Sequence, residues 1–130
     1  MILTVNDETL SGDILYQLKI AVQSERIKVK DLIAARVEAE IKFYNEKLPE
    51  YFKGLIQPTD AEKTLNGYKL KKGNKKIDVD KQTFVAFDAF QKNSFLLLVD
   101  DNQAEDLEEE ILVNKETIIS FVKLTPLVGG

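Results

Sequence analysis

The side chains on which much protein chemistry depends are missing from these 130 residues: there is no cysteine and no histidine. Disulfides, thiolate zinc sites, iron–sulfur clusters, cysteine nucleophiles, histidine-ligated metals and Ser-His-Asp relays are therefore excluded within the chain. The stretch that retains a capacity for reaction is Thr125-Pro126-Leu127-Val128-Gly129-Gly130. An enzyme that leads a carboxylate through a narrow channel to ATP benefits from residues without side chains, and glycine also lets the backbone approach closely. A Gly-Gly pair at one given place arises by chance in roughly one chain in 200, so it acquires meaning only from what precedes it. A frayed terminus is the alternative.

Other clusters have plainer explanations. The acidic run from Asp100 to Glu110 could dock a basic groove or ligate a hard cation, but it lacks the spacing and glycine of an EF-hand, and a solvated loop accounts for it. Lys69, Lys71, Lys72, Lys75 and Lys76 crowd one segment without an aromatic ladder, which suits a charge-protected edge better than a phosphate site. Phe84, Phe87 and Phe90 fall along one helical side and are expected in the core, with a ligand groove as the alternative. Asp60 and Glu62 suit helix capping better than a carboxylate dyad.

The elements that must position the tail are read from periodicity. Ile14 to Val22 alternates, with Ile14, Tyr16, Leu18, Ile20 and Val22 on one face, and residues 2–9 form its hairpin partner across Leu10-Ser11-Gly12-Asp13. From Val29 the period becomes helical: Val29, Ile33, Val37, Ile41, Tyr44 and Leu48 share a stripe, while Lys30, Arg36, Glu38, Glu40 and Lys42 cover the rest. Pro49 ends that helix, giving bounds of about 29–47. Gly73-Asn74 predicts a two-residue hairpin turn setting Leu70 opposite Ile77 and Tyr68 opposite Val79. Asp80 then caps a second helix that Asn93 closes. Phe95 to Val99 reads as a strand covered on both faces, and Ile111–Val113 and Ile118–Leu124 as two more apolar runs.

Taken together, the two ends resemble a known family. Strand, turn Thr9–Asp13, strand, the approach Ser24 to Val29 and the helix from Lys30 resemble ubiquitin and other β-grasp proteins. Phe95–Val99, Asn102–Leu107 and Ile118–Leu124, followed by Phe121 and the Leu124-to-Gly130 motif, are similar to the MoaD and ThiS sulfur carriers. The resemblance covers about 80 of 130 residues in two blocks. It implies an α+β, ubiquitin-like β-grasp domain over 1–130, a mixed sheet packed on one main helix. Residues 49–94 form an insertion carrying a β-hairpin and a short helix, and 125–130 an extended tail.

What the family implies about function is specific. An E1-like adenylating enzyme, using ATP, activates the Gly130 carboxylate; the acyl group then passes to sulfur or to a target amine. Gly129 permits close passage, and Pro126, Leu127 and Val128 hold the tail extended for recognition. No bound cofactor or metal is implied, and partner enzymes supply the catalytic groups. Tyr16, Leu18, Phe121 and Lys123 fall where β-grasp proteins meet partners.

Composition fits this expectation. The chain is 44% hydrophobic and 31% charged, as soluble globular chains are. With 18 basic against 22 acidic residues the net charge is −4, and the pI near 5.0 argues against nucleic acid or an anionic membrane as a partner. Asn6, Asp7 and Glu8 break the first apolar stretch below signal-peptide length, so a cytoplasmic setting is expected. The competing expectation is a non-catalytic binding module with an incidental tail. An enzyme in its own right is poorly supported, because the usual nucleophile–base pairs cannot be assembled.

Overall fold

A computed structural model describes residues 1–71 and 76–124. Strands β1 (Ile2–Glu8) and β2 (Ile14–Ala21) form an antiparallel hairpin. In its turn Thr9 N–H donates to Asp13 O and Gly12 N–H to Thr9 O, and Gly12 sits at φ +92°, which a side chain would disfavour. A short strand β3 (Arg26–Lys28) leads into helix α1 (Val29–Lys47), whose bounds are those the apolar stripe predicts. Leu48 closes α1 in the left-handed region at φ 44°, donating its N–H to Tyr44 O ahead of Pro49. The remaining elements are β4 (Ala61–Thr64), β5 (Gly67–Leu70), α2 (Val79–Gln91), β6 (Phe95–Val99), β7 (Asn102–Ala104), β8 (Glu110–Leu112) and β9 (Ile118–Lys123).

The fold is mixed α+β. Its main sheet has five strands in the order β2-β1-β9-β6-β7, and β9 runs parallel to β1 and antiparallel to β6. The last strand therefore lies at the sheet's centre. Register sets Leu3, Val5 and Asp7 on one face with Ile119 and Phe121 of β9 and Phe95 and Leu97 of β6. Against this face packs α1, with Leu32, Ile33, Val37 and Ile41 fully buried. Two small antiparallel pairs, β3–β8 and β4–β5, flank the sheet. The β6–β7 turn is the tight pair Asp100-Asp101, both at positive φ, and Asp100 Oδ1 further accepts the Ile118 N–H at 2.9 Å.

Residues 49–94 share the same core, contributing Phe52, Leu55, Ala61, Leu70, Ala86, Ala89 and Phe90. Several expectations for this segment are corrected. Leu70 pairs with Ala61 and Tyr68 with Lys63 across Leu65-Asn66, so the hairpin is β4–β5 and neither Ile77 nor Val79 is its partner. The proposed Lys72–Lys75 turn lies outside the described residues. Glu62 is in a strand and caps no helix. Helix α2 starts at Val79 and is capped by Asp78, whose Oδ1 accepts the Lys81 N–H at 3.1 Å; Asp80 sits in its first turn. Asn93 follows α2 at φ 59°, the closing role expected of it. Phe90 is buried against Phe95, but Phe84 is 76% exposed and outside the core.

The acidic run is tied down locally. Glu108 accepts from Lys28 at 3.1 Å and Lys30 at 2.7 Å, and Glu110 pairs with Arg26 at 2.9 Å. These bonds fasten it beside the start of α1. Among the described residues no helix is long and apolar enough to cross a membrane.

Candidate functional site

Three ionisable side chains meet inside the protein where β1 faces the middle of α1. Asp7 follows Leu3 and Val5 on the inward face of β1, and Arg36 and Glu40 lie one turn apart on α1. All three are buried, Arg36 completely. Its guanidinium forks onto Asp7, with Nη1 donating to Oδ1 and Nη2 to Oδ2 at 2.7 Å, while Nε donates to Glu40 Oε2 at 3.2 Å. The flat face of the same group lies 4.6 Å from the Phe121 ring centre. Glu40 accepts in addition the Leu55 N–H at 3.2 Å, which fixes the chain after α1.

Burial raises the Glu40 carboxyl above its ordinary range, against the pull of Arg36 and the Leu55 N–H. Burial works against the Arg36 charge, but Glu40 and Asp7 outweigh it and hold that group above its ordinary value. Gly54 allows this packing. A Cβ there would come within 2.2 Å of the Phe52 ring and 2.8 Å of Glu40 Oε1.

A cavity of about 300 Å³ opens beside the cluster, with Asp7, Tyr16, Lys53, Lys63, Tyr68 and Lys123 among its walls. A neighbouring cavity of about 260 Å³ shares Lys63, Tyr68 and Lys123 with it. The Lys123 ammonium donates to Gly54 O at 3.5 Å, and burial, helped by Arg36 and Lys63, lowers its pKa against the pull of Asp7 and Glu40. Burial also raises the Tyr68 phenol, with the Glu40 and Asp7 carboxylates adding to the effect. Among the described residues no cluster of three or more acidic side chains could hold a metal ion.

The residues singled out in the sequence are distributed unevenly over this geometry. Lys123 and Tyr16 are brought together at the cavity beside the cluster, and Leu18 lines another cavity with Tyr16. Phe121 is corrected: its ring is wholly buried beneath Arg36 and offers no surface to a partner. Pro126, Leu127, Val128, Gly129 and Gly130 lie outside the described residues. Arg36 and Glu40, expected on the solvent side of the helix, are buried. Their signal was present: Ile33, Arg36, Glu40 and Tyr44 are spaced three, four and four, flanking the apolar stripe, and Asp7 interrupts the inward series Leu3, Val5. Compared with protein-family models, curated proteins and solved structures, the chain matches none.

Proposed function

We propose that this protein is a ubiquitin-like or sulfur-carrier protein of β-grasp fold, whose Gly129-Gly130 carboxylate an E1-like enzyme activates with ATP. The observation that carries the reading is the parallel pairing of β1 with β9, which makes the last strand of the described residues central. The β2-β1-β9-β6-β7 order with α1 across one face supports the fold, and β4, β5 and α2 are then elaborations between helix and third strand. In this chemistry the Gly130 carboxylate attacks the α-phosphate of ATP and displaces pyrophosphate. A sulfur or amine nucleophile, directly or through an enzyme thiol, then displaces AMP. Without cysteine or histidine the chain is the acyl donor and partners bring the nucleophiles.

Deleting Gly129 and Gly130 tests this, because the core of the described residues is built from Leu3 to Phe121. Incubated with extract of its own host, ATP and a thiol trap, the full-length protein forms an ATP-dependent adduct. The truncated protein keeps its melting temperature and forms none. An undiminished reaction after truncation contradicts the proposal.

The cavity lined by Tyr16, Lys53, Tyr68 and Lys123 favours a second reading, a binding module. Under it, partner binding survives removal of the glycines.

A further inference from the structure

The core-facing side of the central strand ends in a lysine. Ile119 and Phe121 of β9 are wholly buried, and Lys123 follows them in the same alternating series, opposite Phe95 of β6. Lys123 is half-buried and forms part of the walls of both cavities beside the buried cluster, as does Tyr68 of β5. The cavity of about 300 Å³ includes Tyr16 and Gly54, and that of about 260 Å³ has the apolar Leu55, Ile56, Ala89 and Phe95 among its walls.

The surroundings of the lysine nitrogen are poor in acceptors. An ammonium carries three N–H donors. Among the described residues this one meets a single acceptor, Gly54 O at 3.5 Å, the outer limit of a hydrogen bond, and forms no ion pair. The carboxylates nearby are already engaged, Asp7 by the fork of Arg36, and Glu40 by Arg36 Nε and the Leu55 N–H. The charged groups that face Lys123 are Asp7 from β1, Arg36 and Glu40 from α1 and Lys63 from β4. Burial is the largest influence and lowers its pKa; Arg36 and Lys63 add to this, and Asp7 and Glu40 oppose it. The neutral amine is therefore more populated here than at an exposed lysine, and only that form has a lone pair to give. Tyr68 is driven the other way: burial, with Glu40 and Asp7, raises its phenol and keeps it protonated. A nucleophilic amine and an O–H donor thus line one space, and these are the two groups that condensation with a carbonyl requires.

We propose that Lys123 forms an imine with a small aldehyde held in these cavities, with Tyr68 as the proton donor. The amine lone pair attacks the carbonyl carbon, a C–N bond forms, and a proton passes from nitrogen to oxygen to give a carbinolamine. The Tyr68 phenol protonates the hydroxyl, which leaves as water, and the phenolate recovers a proton from nitrogen; C=N remains and Tyr68 is unchanged. The size of the cavities limits the aldehyde to a short chain, for which Leu55, Ile56 and Phe95 supply an apolar wall. The step uses neither Gly130 nor ATP, so it stands apart from any reaction at the tail.

The test is timed incubation of the full-length protein with butyraldehyde near neutral pH, a borohydride quench that reduces imines to stable secondary amines, and peptide mass mapping of every lysine. The expected result is labelling of Lys123 about tenfold faster than of the exposed Lys19, at a rate that saturates with aldehyde. As pH rises, the Lys123 rate levels off before that of Lys19. Tyr68→Phe slows labelling at Lys123 about a hundredfold, with the Lys19 rate and the melting temperature little changed. Labelling of Lys123 no faster than of Lys19, a rate that stays linear in aldehyde, or equal labelling in the Tyr68→Phe protein overturns the proposal.

Discussion

At the scale of single residues, the arginine at the centre of α1 governs the interior. A guanidinium removed from water is costly; here two carboxylates and an aromatic face offset that cost, and the fork geometry suits arginine rather than lysine. The carboxylates depend on it in turn. Arg36→Met leaves Asp7 and Glu40 buried without their counter-charge, and the expected loss of stability is about 3–5 kcal/mol. Urea unfolding followed by circular dichroism measures it, and a change within about 0.5 kcal/mol, the range of ordinary surface positions, contradicts the reading of a coupled buried cluster. This cluster was hard to see in the sequence because charged letters on an amphipathic helix default to the solvent side. Asp7 is distant in sequence from Arg36 and Glu40, and only the placement of β1 beneath α1 brings it to them.

At the scale of elements, α2 shows how one helix distributes its aromatic residues. Phe90 packs 5.9 Å from Phe95 in the core, whereas Phe84, six residues earlier, stands in solvent. Phe90→Ala is therefore expected to cost about 3–5 kcal/mol, and Phe84→Ser to change stability by less than about 0.5 kcal/mol. Thermal melts of the two variants check both figures; equal losses would place Phe84 in a packed interior. Periodicity was enough to delimit α1 and the strands near each end, where apolar residues recur at one period for several turns or pairs. It failed between them. Tyr68 and Leu70 alternate equally well whichever neighbour they pair with, and Gly73-Asn74 is the stronger local turn signal. Their pairing with β4 is decided by tertiary contacts, with Ala61 buried opposite Leu70 and Gly67 at φ +128° beneath the Phe52 carbonyl.

At the scale of the whole molecule, the sheet order and the cavities are properties of assembly. The ends of the sequence pointed to a central final strand, and β9 occupies that position between β1 and β6. The cavities were not legible, since their walls come from β1, β2, α1, β4, β5, β9 and the segment after α1; Tyr16, Leu18 and Lys123 were singled out, but not the residues that enclose them. The central claim nevertheless concerns the six residues after Leu124, and one measurement addresses them directly: intact mass and C-terminal peptide analysis of N-terminally tagged protein recovered from its own host. Gly130 is expected to carry a thiocarboxylate or to be joined by an isopeptide bond to a lysine. A Gly130 carboxylate that is wholly free, and remains so in host extract with ATP and a thiol trap, contradicts the claim.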